Sequence, residues 1–247
     1  MAILRYILSR YDRRSALALA TLCTLYVGVF IVWHRLIDWS QGMDWLLAFI
    51  WAGMTALLCW DVNPKRDVPL AIVAFFGGLV IEWWGTTTEI WRYYTAERPP
   101  LWILPAWPVA TLAIDRIMRV LDRAAPPWSA RWPFVVVLSL FTVAMTRFAW
   151  STVHIVSTQV VIALMIAVTF TNREPRRELL LFVAGTMLGL WLEYWGTSRW
   201  CWRYYTKEIP PIEAVFAHGF ASVAFLRGWQ VAAALRRRLP GWAPSVA

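Results

Sequence analysis

Residues Ile81 to Pro100 read IEWWGTTTEIWRYYTAERPP, and residues Leu192 to Pro211 read LEYWGTSRWCWRYYTKEIPP. The second stretch repeats the first after about 111 residues, and self-similarity at that spacing marks a chain built from two copies of one unit. The register extends beyond the motif. Pro64, Arg66, Leu70, Gly78 and Leu79 fall opposite Pro175, Arg177, Leu181, Gly189 and Leu190. It fades toward the start of each copy, where Trp39-Ser40 against Trp150-Ser151 is what stands out.

The chain around these motifs is 60% hydrophobic with a mean hydropathy of +0.51, more apolar than a soluble domain of this length. Windows close to twenty residues long with few charges read as membrane-spanning helices. They fall at 18–37, 43–60, 68–86, 101–121, 132–149, 153–171, 178–196 and 211–234. The expected fold is therefore an all-α integral membrane protein with about eight transmembrane helices, arranged as two parallel four-helix repeats. An even number of crossings gives both copies the same orientation. The divisions are a basic juxtamembrane segment (1–17), a first repeat (18–122), a linker (123–131), a second repeat (132–235) and a tail (236–247). The first apolar stretch lacks a small-residue cleavage site and reads as a retained helix.

The net charge of +9 is placed as a membrane protein would place it. With both termini cytoplasmic, the inner segments carry roughly 17 Lys and Arg against 7 outside, the asymmetry of the positive-inside rule. That distribution puts the repeated motif on the outer, periplasmic side of a cytoplasmic membrane and argues against nucleic acid as a partner. Cys23, Cys59 and Cys201 show no CxxC spacing, so neither a disulfide framework nor a zinc knuckle is expected. Pro64 and Pro175, each followed by an acid in the first turn (Asp67, Glu178), suit helix starts.

The candidate chemistry lies in Glu82 and Glu193, about one turn inside the outer ends of their helices. A carboxylate at that depth faces protein or a wet cavity. Gly78 and Gly85 share a helix face with Glu82, and Gly189 and Gly196 share one with Glu193. Small residues of this kind let another helix come close, and the two strips can meet and bring the carboxylates together. A neighbouring pair would titrate jointly and could give and take a proton. The alternative is that Glu82 pairs with Arg92 and Glu193 with Arg203 to pin the outer loop. His218 stands opposite Trp107 in the other copy, which makes the second half the better catalytic candidate. Arg147 could neutralise a carboxylate or a substrate anion. Trp84, Trp91, Tyr93, Tyr94, Trp195, Trp202, Tyr204 and Tyr205 form either an interfacial belt or the wall of an apolar ligand site that steadies a developing cation. His34, His154 and His218 all fall in the outer third but match no metal-ligand spacing, so no metal is expected. GxGxxG, Walker, HExxH and GxSxG motifs are absent, and no cofactor is expected. The Pro-Pro after each motif forces an extended segment before the next helix.

The order Glu193, Gly196-Thr197, Trp202-Arg203-Tyr204-Tyr205-Thr206, Pro210 resembles the multispanning carotenoid-biosynthesis proteins, a group with membrane carotenoid hydratases and lycopene cyclase domains. In size and in the use of intramembrane acids the chain is also similar to small membrane terpene cyclases. The resemblance implies cofactor-independent, protonation-initiated chemistry on an isoprenoid double bond, with Glu193 or Glu82 as the acid. It covers about twenty residues in each half, and this chain differs in carrying the motif twice and in having WRYYT where a Gly-Arg-Tyr run is expected. Two other functions fit the same residues. One is a proton- or cation-coupled transporter that uses the glutamates as ion sites; Thr158 and Gln159 are the main polar residues its path would have at the membrane centre. The other is a Trp-rich accessory subunit that binds pigment, lipid or partner helices, as a homo-oligomer or beside a membrane partner.

Overall fold

A computed structural model describes residues 5–6, 8–36, 44–171 and 173–238. Trp39 and Ser40 and most of the tail lie outside the described residues. The described residues are helical apart from turns and one short two-stranded ribbon. Among the described residues the eight long helices are α1 (Arg13–Trp33), α2 (Trp45–Cys59), α3 (Pro64–Thr87), α4 (Ala106–Ala124), α5 (Trp132–Phe148), α6 (Val156–Phe170), α7 (Pro175–Ser198) and α8 (Ile212–Arg238). Among the described residues, four segments are long and apolar enough to cross a membrane: Arg13–Val32, Pro64–Thr87, Leu101–Ala124 and Pro175–Ser198. The other expected spans differ in length. Helices α2 and α6 have 15 residues and α5 has 17, short of the ~20 a full crossing takes. Helix α8 is long, at 27 residues, but carries more polar residues than those four.

Helices α3 and α7 form the centre. Each packs on the helix that follows it, α3 on α4 and α7 on α8, and each also packs on the other half's last helix, α3 on α8 and α7 on α4. Beyond their first turns both carry apolar residues on most of their circumference. The inward stripe of α3 is Leu70, Ala74, Gly78, Glu82 and Gly85, and that of α7 is Leu181, Gly185, Gly189, Glu193 and Gly196. Their opposite faces leave large apolar side chains exposed at matching places: Ile72, Phe76, Val80 and Trp83 on α3, and Val183, Met187, Trp191 and Tyr194 on α7.

The N-terminal ends of these helices are fixed by ion pairs in equivalent places. Asp67, in the first turn of α3, accepts from Arg116 Nη1 at 2.9 Å and Nη2 at 2.5 Å, and Arg116 Nε donates to the Trp60 carbonyl at 3.1 Å. Glu178, in the first turn of α7, accepts from Arg227 Nε and Nη2 at 2.6 Å, and Arg227 also donates to the Thr171 carbonyl. Arg116 and Glu178 are 1% and 0% exposed. At that burial an unpartnered charge would be prohibitive, so each half needs its pair intact. The first half adds Asp115, which takes bonds from Arg66, Arg116 and Arg119.

At the C-terminal ends, Ile90 N donates to the Gly85 carbonyl and Cys201 N to the Gly196 carbonyl, both at 2.9 Å. These six-to-one bonds close Schellman turns around Glu89 and Trp200, at φ 62° and 60°, where glycine is the usual occupant. The turn throws the chain back over the helix end. There the two motifs, expected to be loops, form strands β1 (Trp91–Tyr93) and β2 (Trp202–Tyr204). The strands pair antiparallel with Trp91 opposite Tyr204, Arg92 opposite Arg203 and Tyr93 opposite Trp202. Exchanging the strands reproduces the same register, so a local two-fold axis passes through the Arg92–Arg203 pair.

Candidate functional site

In a strand, side chains alternate between faces. Trp91, Tyr93, Trp202 and Tyr204 therefore point down into the helices, and Arg92 and Arg203 point out. The inward residues meet the glutamates. Glu82 accepts from Trp91 Nε1 at 3.1 Å, Tyr93 Oη at 2.9 Å and Trp107 Nε1 at 3.2 Å. Glu193 accepts from Trp202 Nε1 at 2.9 Å and from Tyr204 Oη at 3.0 and 3.1 Å, and lies 2.9 Å from His218 Nε2. The glutamates are 3% and 5% exposed, five residues before the ends of α3 and α7.

The glycines explain how the rings get there. A Cβ on Gly78 would lie 2.2 Å from the Trp107 ring, and one on Gly189 would lie 2.7 Å from His218 Cβ. A Cβ on Gly85 would lie 1.9 Å from the Trp91 ring, and one on Gly196 would lie 2.0 Å from that of Trp202. The small-residue strips thus do not join α3 to α7 directly. Gly78, Gly85 and Gly196 are slots for indole rings, while Gly185 and Gly189 let α8 come close, its Gly219 Cα and Val215 O lying 2.6 and 2.8 Å from where their Cβ atoms would be.

The two half-sites merge into one aromatic cluster. Trp91 lies 5.9 Å from Tyr204, and Tyr93 lies 5.8 Å from Trp202, at interplanar angles of 55° and 56°. Trp107 and His218 stack at 5.9 Å and 16°. Burial pushes the Tyr93 and Tyr204 hydroxyls well above the usual tyrosine range, and the carboxylates they face, Glu82 and Glu193, push them further. Both phenols stay protonated and remain donors.

Several expected site residues are elsewhere. Arg92 and Arg203 do not touch the carboxylates. Arg92 pairs with Glu89, and the Arg203 guanidinium lies 4.5 Å over the Trp200 ring. The strand's alternation places them on the solvent face, which also rules out their pinning Glu82 and Glu193. Arg147 and His154 are exposed at the end of α5 and in the turn after it. Tyr94 and Tyr205 are half-exposed on the outside of the ribbon, and the Tyr205 hydroxyl donates to the Phe148 carbonyl at 2.6 Å. Trp84 is buried but donates to Thr158 Oγ1 at 3.0 Å, a second layer that ties α3 to the start of α6. Trp195 stays near the cluster, 6.0 Å from Trp202 and edge-on to it. Thr158 and Gln159, placed at mid-membrane by sequence, occupy the first turn of α6 instead. Trp107 is the member that sequence reading passed over. Its alignment with His218 was the available signal, because both positions hold a ring nitrogen one helix away from a glutamate.

Among the described residues, no group of three or more His, Cys, Asp or Glu side chains is placed to hold a metal ion. The three cysteines are free. The chemical resources of the site are two buried carboxylates, two phenols, three indole N–H groups and one imidazole. Comparison with protein-family models, with curated proteins and with solved structures returns no match.

Proposed function

We propose that this chain is an intramembrane enzyme that performs acid–base chemistry on a lipid-like, isoprenoid substrate, with His218 and Glu193 as the working pair. One observation carries the reading: His218 Nε2 lies 2.9 Å from Glu193 Oε1 where the other half has the non-titrating Trp107. A carboxylate against Nε2–H fixes the tautomer and leaves the Nδ1 lone pair free to take a proton and, once charged, to return it. Trp202 and Tyr204 hold Glu193 in place, so the imidazole is aimed by groups that are themselves fixed. The ring faces of Trp107 and Trp202 favour a cation developing beside them, as follows protonation of an alkene. The likeness of the motif to carotenoid-biosynthesis proteins supports the isoprenoid class. In this reading Glu82, held by three neutral donors, is structural.

The same proposal has the chain cross a cytoplasmic membrane eight times as two parallel four-helix repeats, with both termini inside and the ribbon outside. The exposed apolar stripes on α3 and α7 support immersion in lipid. The roughly 17-to-7 distribution of basic residues supports the orientation. The short helices α2, α5 and α6 are then accommodated by local thinning of the bilayer or by their flanking residues.

The test is incorporation of deuterium from D2O into isoprenoid lipids in membranes bearing the wild-type chain, His218→Gln, Glu193→Gln or Trp107→Phe. Solvent deuterium in a new C–H bond is expected with wild type and Trp107→Phe and lost with the other two. Unchanged labelling in both His218→Gln and Glu193→Gln defeats the proposal. A second reading draws support from the same carboxylates: their oxygens are already filled by donors from the chain, as in a lipid- or pigment-binding scaffold. Retention of a stoichiometric pigment with no labelling would favour it. Proton-linked uptake in liposomes would instead point to a transporter.

A further inference from the structure

A cavity of about 400 Å³ opens at the inner end of the bundle, away from the glutamates, lined by Tyr6, Met118, Arg119, Asp122, Arg123 and Arg177. It lies between the last turns of α4 and the first turn of α7, with Tyr6 of the N-terminal segment as its side wall. Three guanidinium groups and one carboxylate line it, and their partners show what charge remains. Arg119 pairs with Asp115 at 2.6 Å and Asp61 at 2.5 Å, carboxylates it shares with Arg66, Arg116 and Arg10. Asp122 is taken by Arg176, outside the cavity. Arg177 holds Glu174 at 3.0 Å on the exposed side. Arg123 has no acidic partner among the described residues, and its guanidinium lies 4.4 Å over the Tyr6 ring. The cavity therefore keeps an excess of positive charge, with the Arg123 guanidinium against an aromatic face and Arg177 in the same lining.

The repeat shows that this charge is not inherited from the shared unit. Arg177 has its counterpart in Arg66, but Arg119, Asp122 and Arg123 stand opposite Gln230, Ala233 and Ala234. The equivalent position around Arg66 therefore lacks these three charges.

We infer that this cavity binds one phosphate group, presented by the headgroup of an anionic membrane lipid, with Arg123 and Arg177 as its ligands and Tyr6 as the supporting wall. A guanidinium pair matches the oxygens of a phosphodiester, and basic pockets between helices at the cytoplasmic face are where such headgroups dock. A phosphodiester brings one negative charge against that excess. The inference rests on the membrane-spanning reading but not on the proton chemistry, so Glu193→Gln keeps the lipid site whatever it does to turnover.

The experiment measures the thermal midpoint of the full chain in neutral detergent against increasing dihexanoyl phosphatidylglycerol, dihexanoyl phosphatidylcholine or inorganic phosphate. Saturable stabilisation by the anionic phosphatidylglycerol alone is expected. Arg123→Gln and Arg177→Gln are each expected to weaken apparent affinity roughly tenfold, the worth of one charge-assisted hydrogen bond. Arg14→Gln, on the same side but outside the cavity, should leave it unchanged. Equal stabilisation by phosphatidylcholine, or an equal loss in Arg14→Gln, overturns the site. Equal stabilisation by inorganic phosphate overturns the lipid as its source. A wild-type response in both cavity variants overturns the assignment of ligands.

Discussion

Trp107 and His218 lie face to face, 5.9 Å between ring centroids and 16° from parallel, and each reaches the glutamate of its own half through a ring nitrogen. The structure around them is nearly the same twice, so the difference between an indole and an imidazole is the clearest chemical asymmetry in the cluster. The indole can only donate. The imidazole can exchange a proton, and the first expected outcome concerns that difference.

Glu82→Gln and Glu193→Gln should separate stability from turnover. Either amide turns an NH2 toward a donor that the carboxylate accepted, and each should cost about 1–3 kcal/mol in detergent unfolding. Turnover in the folded protein should fall about a hundred- to ten-thousand-fold in Glu193→Gln and survive in Glu82→Gln. Equal losses of turnover in both would place the chemistry on the pair rather than on one half.

The glycine slots should not tolerate a methyl group. Gly85→Ala and Gly196→Ala put a Cβ about 2 Å from an indole; the cost should be about 1–3 kcal/mol or more, with loss of the Trp–Glu bond. Gly53→Ala, where nothing lies within 4 Å, should leave the thermal midpoint unchanged or higher. Tryptophan fluorescence during thermal unfolding reads both effects.

Breaking an inner ion pair from one side should be worse than removing it whole. Arg116→Met leaves Asp67 buried beside Asp115 and is expected to cost about 3–5 kcal/mol. Asp67→Asn combined with Arg116→Met should cost less than Arg116→Met alone. A double variant less stable than that single variant would show that the pair is worth more than the burial of its charges.

Alkaline pH should loosen the ribbon. Burial raises the Tyr93 and Tyr204 hydroxyls above the unfolded value of about 10. A raised folded-state value gives stability that is complete below about pH 10 and drains away as pH rises toward the folded value. The thermal midpoint should therefore hold to about pH 10 and fall above it. Replacing both tyrosines with phenylalanine should lower the plateau and flatten the fall. An unaltered slope would place the alkaline transition elsewhere.

Much of this arrangement was legible in the repeated motif. Glu82 and Glu193 could be placed near the outer helix ends, and the glycines on their face, from spacing alone. What the glycines accommodate could not be read, because a glycine that admits a helix and one that admits a ring look alike in sequence. The roles given to Arg92 and Arg203 failed for a related reason. A loop has no fixed alternation, and only the strand pairing decides which of Trp91, Arg92 and Tyr93 turns inward. The inner ion pairs were half visible: Asp67 and Glu178 read as helix starts, while Arg116 and Arg227 each stand 49 residues further on. That common interval was the signal, and it became legible only with a reason to pair acids and arginines across helices. Helices α2, α5 and α6 were drawn too long because hydropathy continues past the point where the hydrogen-bonded ladder stops.

The ribbon's register is unchanged when its strands trade places, which is the condition a symmetric dimer must meet at its interface. A gene encoding only the second half would thus supply both sides of its own joint. Two such chains are expected to close together around a pair of histidines, giving a miniature with imidazole on each side where the natural chain keeps one.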